Sequence, residues 1–335
     1  MDLYVGPDDI TPDKDYKHVH KWIRNTILRL SGISIEGLVI TPDLFKRHFH
    51  MAEFSSVHIS SLFNPKDKQD VKLAFNLLKD IWSLPSMTAT ESLEKPFQSQ
   101  IREAIRVYGQ LCCHLVFPYV CIELSLSEQL EHLSTAAHLA FALYSYQNAG
   151  KQFMPTTLYV DIMLMVRNAY FCVAKSKVDD PDGEFWFILL GMDRLEILFE
   201  VANILTQHPE WQKTPRRLNL PSLDRNDNVI SERVDHLNPK SWQGDVHTQA
   251  VSLQTCWKQG RKIIEVSYPF AKEVLTNADC NPDITLLSPF GTLLVRTPLD
   301  SDDVEDNHNL KSTSEESPDV MEGSRMVEDE AANAT

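Results

Sequence analysis

Three carboxylates, Asp193, Glu196 and Glu200, stand three and four positions apart within the segment from Glu184 to Trp211, EFWFILLGMDRLEILFEVANILTQHPEW. Read as a helix turning roughly 100° per residue, the three fall within an arc of about 60°. Trp186, Leu189, Ile197 and Ile204 project in nearly the same direction, while Ile188, Leu195, Phe199 and Ala202 cover the opposite side, so the acids belong to a largely buried helix. Like charges at these spacings destabilise a helix by about 0.2 to 0.5 kcal/mol, and a buried carboxylate costs several kcal/mol more unless a cation or donor faces it. A metal ion or an arginine from another helix would serve, and these residues alone leave that choice open. Gly191 is the one position that could kink the helix and change its register.

Other residues with chemical potential are scattered. The chain has no phosphate loop of the G-x-x-x-x-G-K-[ST] type and no G-x-G-x-x-G, H-E-x-x-H or G-x-S-x-G. His48, His50 and His58 lie close in sequence but lack the cysteine or carboxylate spacing of a zinc site. His132 and His138 are six apart, off a common helix face, and read as packed or surface residues. Asp161, Arg167 and Asn168 interrupt an apolar helix; Asp161 and Arg167 are six apart, so each should pair with another helix. Lys17, Lys21 and Arg24, in the first helix, could touch phosphates of a nucleic acid, and a solvated helix face explains them equally well.

The elements that must position these groups are mostly helical. An acidic loop with Asp8, Asp9, Asp13 and Asp15 leads into a helix from about Tyr16 to Leu30. A hairpin follows, with Ile33 and Ile35 in one strand, Glu36 and Gly37 in the turn, and Leu38 and Ile40 in the other. Pro42 opens a short helix, and a longer one, beginning near Pro65, uses Val71, Ala74, Leu77, Leu78, Ile81 and Trp82 before Pro85. The next runs from Phe97 to about Phe117 and meets Pro118, which interrupts or kinks it. Ser125 and Glu128 form the S-x-x-E start of a helix that reaches Gly150. Leu158 to Val173 is apolar nearly all round and belongs at the centre of a bundle. His208 to Gly244 reads as irregular wrapping structure, Thr248 to Tyr268 as a last helix, and ITLLSPFGTLLV as a short hairpin.

The chain's 335 residues, 43% of them hydrophobic, are ample for a core. No signal-type N-terminus and no apolar run long enough to span a bilayer is evident. Six cysteines, two of them adjacent at Cys112 and Cys113, make neither a disulfide framework nor a CxxC site, which points to a reducing, intracellular compartment. From Leu299 to Thr335 twelve acids face only Lys311 and Arg325, a balance of −10, so the body carries only −5 of the total −15. With so few apolar residues the tail is expected to be disordered, either as a solubilising end or as a partner-binding, phosphorylatable extension around Ser312 to Ser317.

Three patches, DKDYKHVHKWIRN at Asp13 to Asn25, DVKLAFNLLKDIW at Asp70 to Trp82 and LLGMDRLEILF at Leu189 to Phe199, resemble the later part of P-element/THAP-type transposases. The resemblance is nearest to transposase-derived reading frames of mushroom-forming fungi, and it covers roughly residues 8 to 290. It implies an RNase H-like domain in which two aspartates and a glutamate hold two Mg²⁺ ions, with a helical insertion before the glutamate. Asp15, in D-x-x-H with His18, would be the second acid, and Glu196, in D-x-x-E-x-x-F with Asp193 and Phe199, the third. Asp15, Asp193 and Glu196 are thus the metal candidates that the resemblance supplies. The first aspartate should come from a strand well upstream, and only fourteen residues precede Asp15.

The expected protein is therefore mainly α: a helical bundle attached to a partial RNase H-like catalytic region, with a disordered acidic C-terminal tail. Its divisions are a partial RNase H-like segment over 1–64, an insertion-like bundle over 65–180, a helical and irregular region over 181–298 and the tail over 299–335. The leading functional expectation is a transposon-derived, non-catalytic remnant with residual DNA or metal contact, nuclear by resemblance and otherwise cytoplasmic. A helical interaction scaffold whose tail binds a protein partner is the alternative. A divalent-metal nuclease completed by Asp8, Asp9 or another chain is the third.

Overall fold

A computed structural model of the chain describes residues 1–5, 8, 10–67, 69–191, 220–233, 239 and 241–280. By its internal contacts the chain divides into Met1–Arg296 and Thr297–Thr335, and every described residue belongs to the first unit. The unit is mainly helical, with ten α-helices and two short hairpins among the described residues. The acidic tail, the ITLLSPFGTLLV run and most of the acid-bearing segment, Asp193, Glu196 and Glu200 included, lie outside the described residues.

Local chemistry starts and stops these elements. Helix α1 (Tyr16–Ile27) begins where the Asp15 side chain accepts the Lys17 N–H. Strands β1 (Ile33–Ile35) and β2 (Leu38–Ile40) pair antiparallel in the register Ile33 with Ile40, joined by Glu36 and Gly37, both at positive φ as a two-residue hairpin turn requires. Pro42 opens α2 (Pro42–Met51), and α3 (Ser56–Leu62) follows from a Ser55 cap. Asp70 caps α4 (Val71–Trp82), so the residues from Pro65 to Asp70 are a loop and not the helix's first turns. After the short α5 (Ala89–Glu94), α6 (Pro96–Val120) runs straight through Pro118. Pro118 falls in its last turn, where one missing N–H forfeits a single helical bond, that to the His114 carbonyl.

Ser125 and Glu128 form the expected capping box at the start of α7 (Leu126–Ser145). Helix α8 (Thr156–Asp179) comes next, and α9 (Leu253–Ser267) and α10 (Pro269–Asp279) close the described chain. Between them β3 (Pro221–Leu223) and β4 (Val229–Arg233) make a hairpin that the irregular reading of His208 to Gly244 did not anticipate. The Asp224 carboxylate accepts the Asn226 and Asn228 N–H groups and closes its turn.

A single large apolar cluster runs from Leu3 to Leu275 through these elements. Its centre is the α6–α7 pair and not α8 as expected: α6 packs on α4 and α7, while α8 and α10 flank α7 and α9 crosses it. Helix α8, 24 residues long, holds an 18-residue stretch of mean hydropathy 1.3, long and apolar enough to cross a membrane by length and composition alone, which corrects the expectation that no run is long enough. Of that stretch 56% is buried in the protein, and the helix packs on α7 and α1.

Two helix crossings are so close that only glycine fits. A methyl group on Gly109 would stand 2.8 Å from Trp82 Cα on α4, and one on Gly260 would stand 2.6 Å from the Thr135 backbone nitrogen on α7. On an exposed helix, glycine to alanine stabilises by about 0.5 to 1 kcal/mol. Here Gly109→Ala and Gly260→Ala should each instead lower stability by about 1 to 3 kcal/mol through overpacking. Urea midpoints check this, and a raised midpoint for either variant would mean that its helix pair is not in contact.

A carboxylate centre at the amino end of the first helix

The acids of the loop before α1 meet three other parts of the fold. Asp15 is 7% exposed, and its Oδ1 accepts the Lys17 N–H at 2.8 Å. A methyl group built on Gly191 would lie 3.5 Å from the Asp15 carboxyl carbon, in ordinary van der Waals contact, so the chain at Gly191 passes beside that carboxylate with room to spare. Asp13 keeps much of its surface in solvent but turns its carboxyl inward, where Asn168 Nδ2 of α8 donates to Oδ1 at 2.9 Å. It also accepts backbone N–H groups of Lys14 and Gly191. Desolvation first, and then the Asp15 charge among smaller effects, raise the Asp13 carboxyl above its ordinary range. Between the two acids, Lys14 Nζ reaches Asp161 of α8 at 2.8 Å.

Aromatic rings close the inner side. Tyr16 stacks on Tyr119 of α6 with centroids 4.1 Å apart, and His20, one turn further along α1, meets both rings edge-on. Burial and then the charges of Asp13 and Asp15 push the Tyr119 phenol well up. Burial holds the His20 imidazole down at about 4. Its Nε2 lies 3.4 Å from the Leu115 carbonyl and its Nδ1 is sealed without a partner. The neutral ring is thus the form that the site accepts.

The cations expected to face a nucleic acid are elsewhere engaged. Lys17 is 3%, Lys21 8% and Arg24 0% exposed, so they form neither an open basic face nor a solvated one. Arg24 spends its guanidinium on the carbonyls of Leu62, Asn64 and Asp67, with distances between 2.8 and 3.2 Å. Lys21 Nζ donates to Gln69. These residues share one face of α1, and the α3–α4 loop, with carbonyls in need of donors, covers it.

The helix expected from Glu184 does not start there. Glu184 bridges to His247, Phe187–Leu189 is a 3-10 turn, and Gly191 sits at φ +126°, which no L residue adopts comfortably inside a helix. The arc that placed Trp186 and Leu189 beside the acids therefore fails over its first turns. The three clustered histidines also part: His48 is buried and accepts from Arg102 Nε, while His58 pairs with Asp80 at 2.6 Å. Asp161 and Arg167 do not pair with other helices as expected: both turn to the segment before α1, Asp161 to Lys14 and Arg167 to the carbonyls of Asp2 and Tyr4.

Asn168, which the sequence marks only as an interruption of the apolar helix, is the site residue without a role expected for it. It lies seven positions after Asp161, two turns along one face of α8, and that spacing was the available signal. Among the described residues no three His, Cys, Asp or Glu side chains are grouped to hold a metal ion. Comparison with protein-family models, curated proteins and solved structures gives no match.

Two outcomes test this account. Asp15→Ala removes the α1 cap and should cost about 1 kcal/mol in chemical denaturation. His20 has a folded pKa near 4 against 6.5 free, so its stabilising contribution is complete above pH 6.5 and is lost as pH falls toward 4. The loss is on the order of 3 kcal/mol. His20→Phe should flatten the stability profile across that window, and a profile as steep as the wild type's would show that His20 is not the group responsible.

Proposed function

We infer that the chain is a non-catalytic helical protein of transposase ancestry, in which the acid that would bind metal in the resembled family serves instead to hold the fold. The observation that carries this is the passage of the chain at Gly191 beside the Asp15 carboxylate, two positions before Asp193 and five before Glu196 in sequence. The resemblance asks for such a meeting between the amino-end acid and the D-x-x-E segment. The way the oxygens are used supports a structural role: Asp15 caps α1, and Asp13 accepts from Asn168, Lys14 and Gly191. A cation would have to displace amide donors to reach them, and two-metal hydrolysis needs open carboxylate oxygens around a reacting phosphate.

The RNase H-like region that the resemblance implies would begin at this acid and the β1–β2 hairpin. Mg²⁺, if held at all, would be held by Asp15, Asp193 and Glu196, and it would supply Lewis acidity and an activated water. The alternative, a scaffold that docks a protein partner, draws on the burial of Lys17, Lys21 and Arg24, which leaves α1 without a basic face for a DNA duplex.

The test uses the full chain with supercoiled and linear duplex DNA in Mg²⁺ or Mn²⁺, alongside Mn²⁺ titration followed by electron paramagnetic resonance. No nicking and no saturable Mn²⁺ site are expected, and Asp15→Asn should change stability alone. Cleavage, or a Mn²⁺ site abolished by Glu196→Gln, would overturn the proposal in favour of a working metal centre.

A further inference from the structure

A cavity of about 330 Å³ opens between α6, α7, α9 and the β3–β4 turn, remote in sequence from the acid centre. An apolar cavity of about 150 Å³ is enough for benzene, so this one has room for an aromatic ring with a short side chain. Phe117, Leu124 and Ile263 supply an apolar wall, and the His132 ring lies against Phe117 with centroids 5.3 Å apart.

The polar lining is specific in sign. His114 Nδ1 and His132 Nδ1 are 2.9 Å apart, so one ring donates to the other and both are neutral. That arrangement leaves one Nε2 bearing hydrogen and the other a bare acceptor. Burial pushes both imidazoles down, His132 to about 4, so neither brings positive charge. Arg225 is exposed at the rim, and its guanidinium is committed to both carboxylate oxygens of Glu128, at 2.5 and 2.9 Å, and to the Glu123 carbonyl. Glu131 remains. It lines the same cavity, no ion pair to it forms among the described residues, and burial followed by the neighbouring Glu128 charge raises its carboxyl. The lining thus holds two carboxylates against one guanidinium.

We propose that this cavity is a binding site for a small organic cation, a protonated amine attached to an aromatic ring, with the ring against Phe117, Leu124 and Ile263 and the ammonium at Glu131. An ammonium there restores charge balance and gives the partly buried carboxylate a partner. An organic anion of the same shape would meet an uncompensated carboxylate and a guanidinium already spent.

The experiment compares phenethylamine with 3-phenylpropionate, alike in size and opposite in charge, by calorimetric titration and thermal shift on the full chain near neutral pH. Phenethylamine is expected to bind at one saturable site with a dissociation constant of roughly millimolar or tighter and to raise Tm, and phenylpropionate is expected to do neither. Glu131→Gln should weaken the amine at least tenfold. Should that variant fold poorly, Ile263→Trp, which fills the cavity from α9, should abolish binding while the unliganded Tm holds. Equal binding of both probes, undiminished amine affinity in a folded Glu131→Gln or Ile263→Trp protein, or no response to phenethylamine up to about 10 mM would overturn the proposal.

Discussion

Helix α7 has almost no solvent face, and that constraint governs its neighbours. Its middle turns, from Leu133 to Ala140, are buried without a break, so four different helices must cover them. Small residues make this feasible: alanines at 136, 137, 140 and 142 let α6, α8 and α9 approach, and Gly260 lets α9 touch the α7 backbone. The polar groups trapped by that approach find partners across the crossings. Ser134 Oγ donates to the Trp257 carbonyl on α9 at 2.8 Å, and the Tyr170 hydroxyl on α8 donates to the Leu130 carbonyl at 3.0 Å. Each such bond is worth only about 1 kcal/mol net, but an unmet buried group would cost about 1 to 3, so the pairs fix the register of the crossings.

Arginines solve a related problem at the periphery. Short helices joined by tight loops leave carbonyls that no N–H reaches. Arg24 collects those of the α3–α4 loop, Arg102 those of His48 and Pro85, and Arg167 those of the N-terminal strand-like segment. A guanidinium has five donors in a fixed fork and can hold two or three chain segments at once. The cost is a charge removed from water, which lowers the pKa of Arg24 and Arg102 chiefly through desolvation. The same use of cations as ties explains why the first helix offers no phosphate-binding surface despite its composition.

How much of this could be read from the chain follows the same division. Capping chemistry was legible: Ser125 with Glu128, Pro42, and the Glu36–Gly37 turn stand in the fold where residue type alone put them. Apolar periodicity gave α6 to within a turn at both ends, but began α4 too early, at Pro65 and not Val71, and carried α7 too far, to Gly150 and not Ser145. Charge misled, because Lys17, Lys21 and Arg24 at intervals of four and three define one face as firmly as leucines would, and nothing in a single chain says that loop carbonyls will cover it. The run from Glu184 misled differently. Its apolar density fits a helix, but a glycine at its seventh following position supplies a conformation that ends one. The His114–His132 cavity was invisible for a simpler reason: its two rings are 18 positions apart on two helices, and only the α6–α7 crossing brings them together.

Gly191 also bears on what the Asp15 carboxylate can be. With φ at +126° the backbone turns beside the carboxylate in a region that costs an L residue of order 1 to 3 kcal/mol, so it is the backbone conformation, and not lack of space, that asks for glycine there. A carboxylate beside that backbone, capping a helix and 7% exposed, has its orientation fixed by the start of α1. Such fixing is what a metal ligand needs and equally what a structural latch needs. The two differ in what the oxygens face, and at Oδ1 the partner is the Lys17 N–H, a donor of the helix that Asp15 caps.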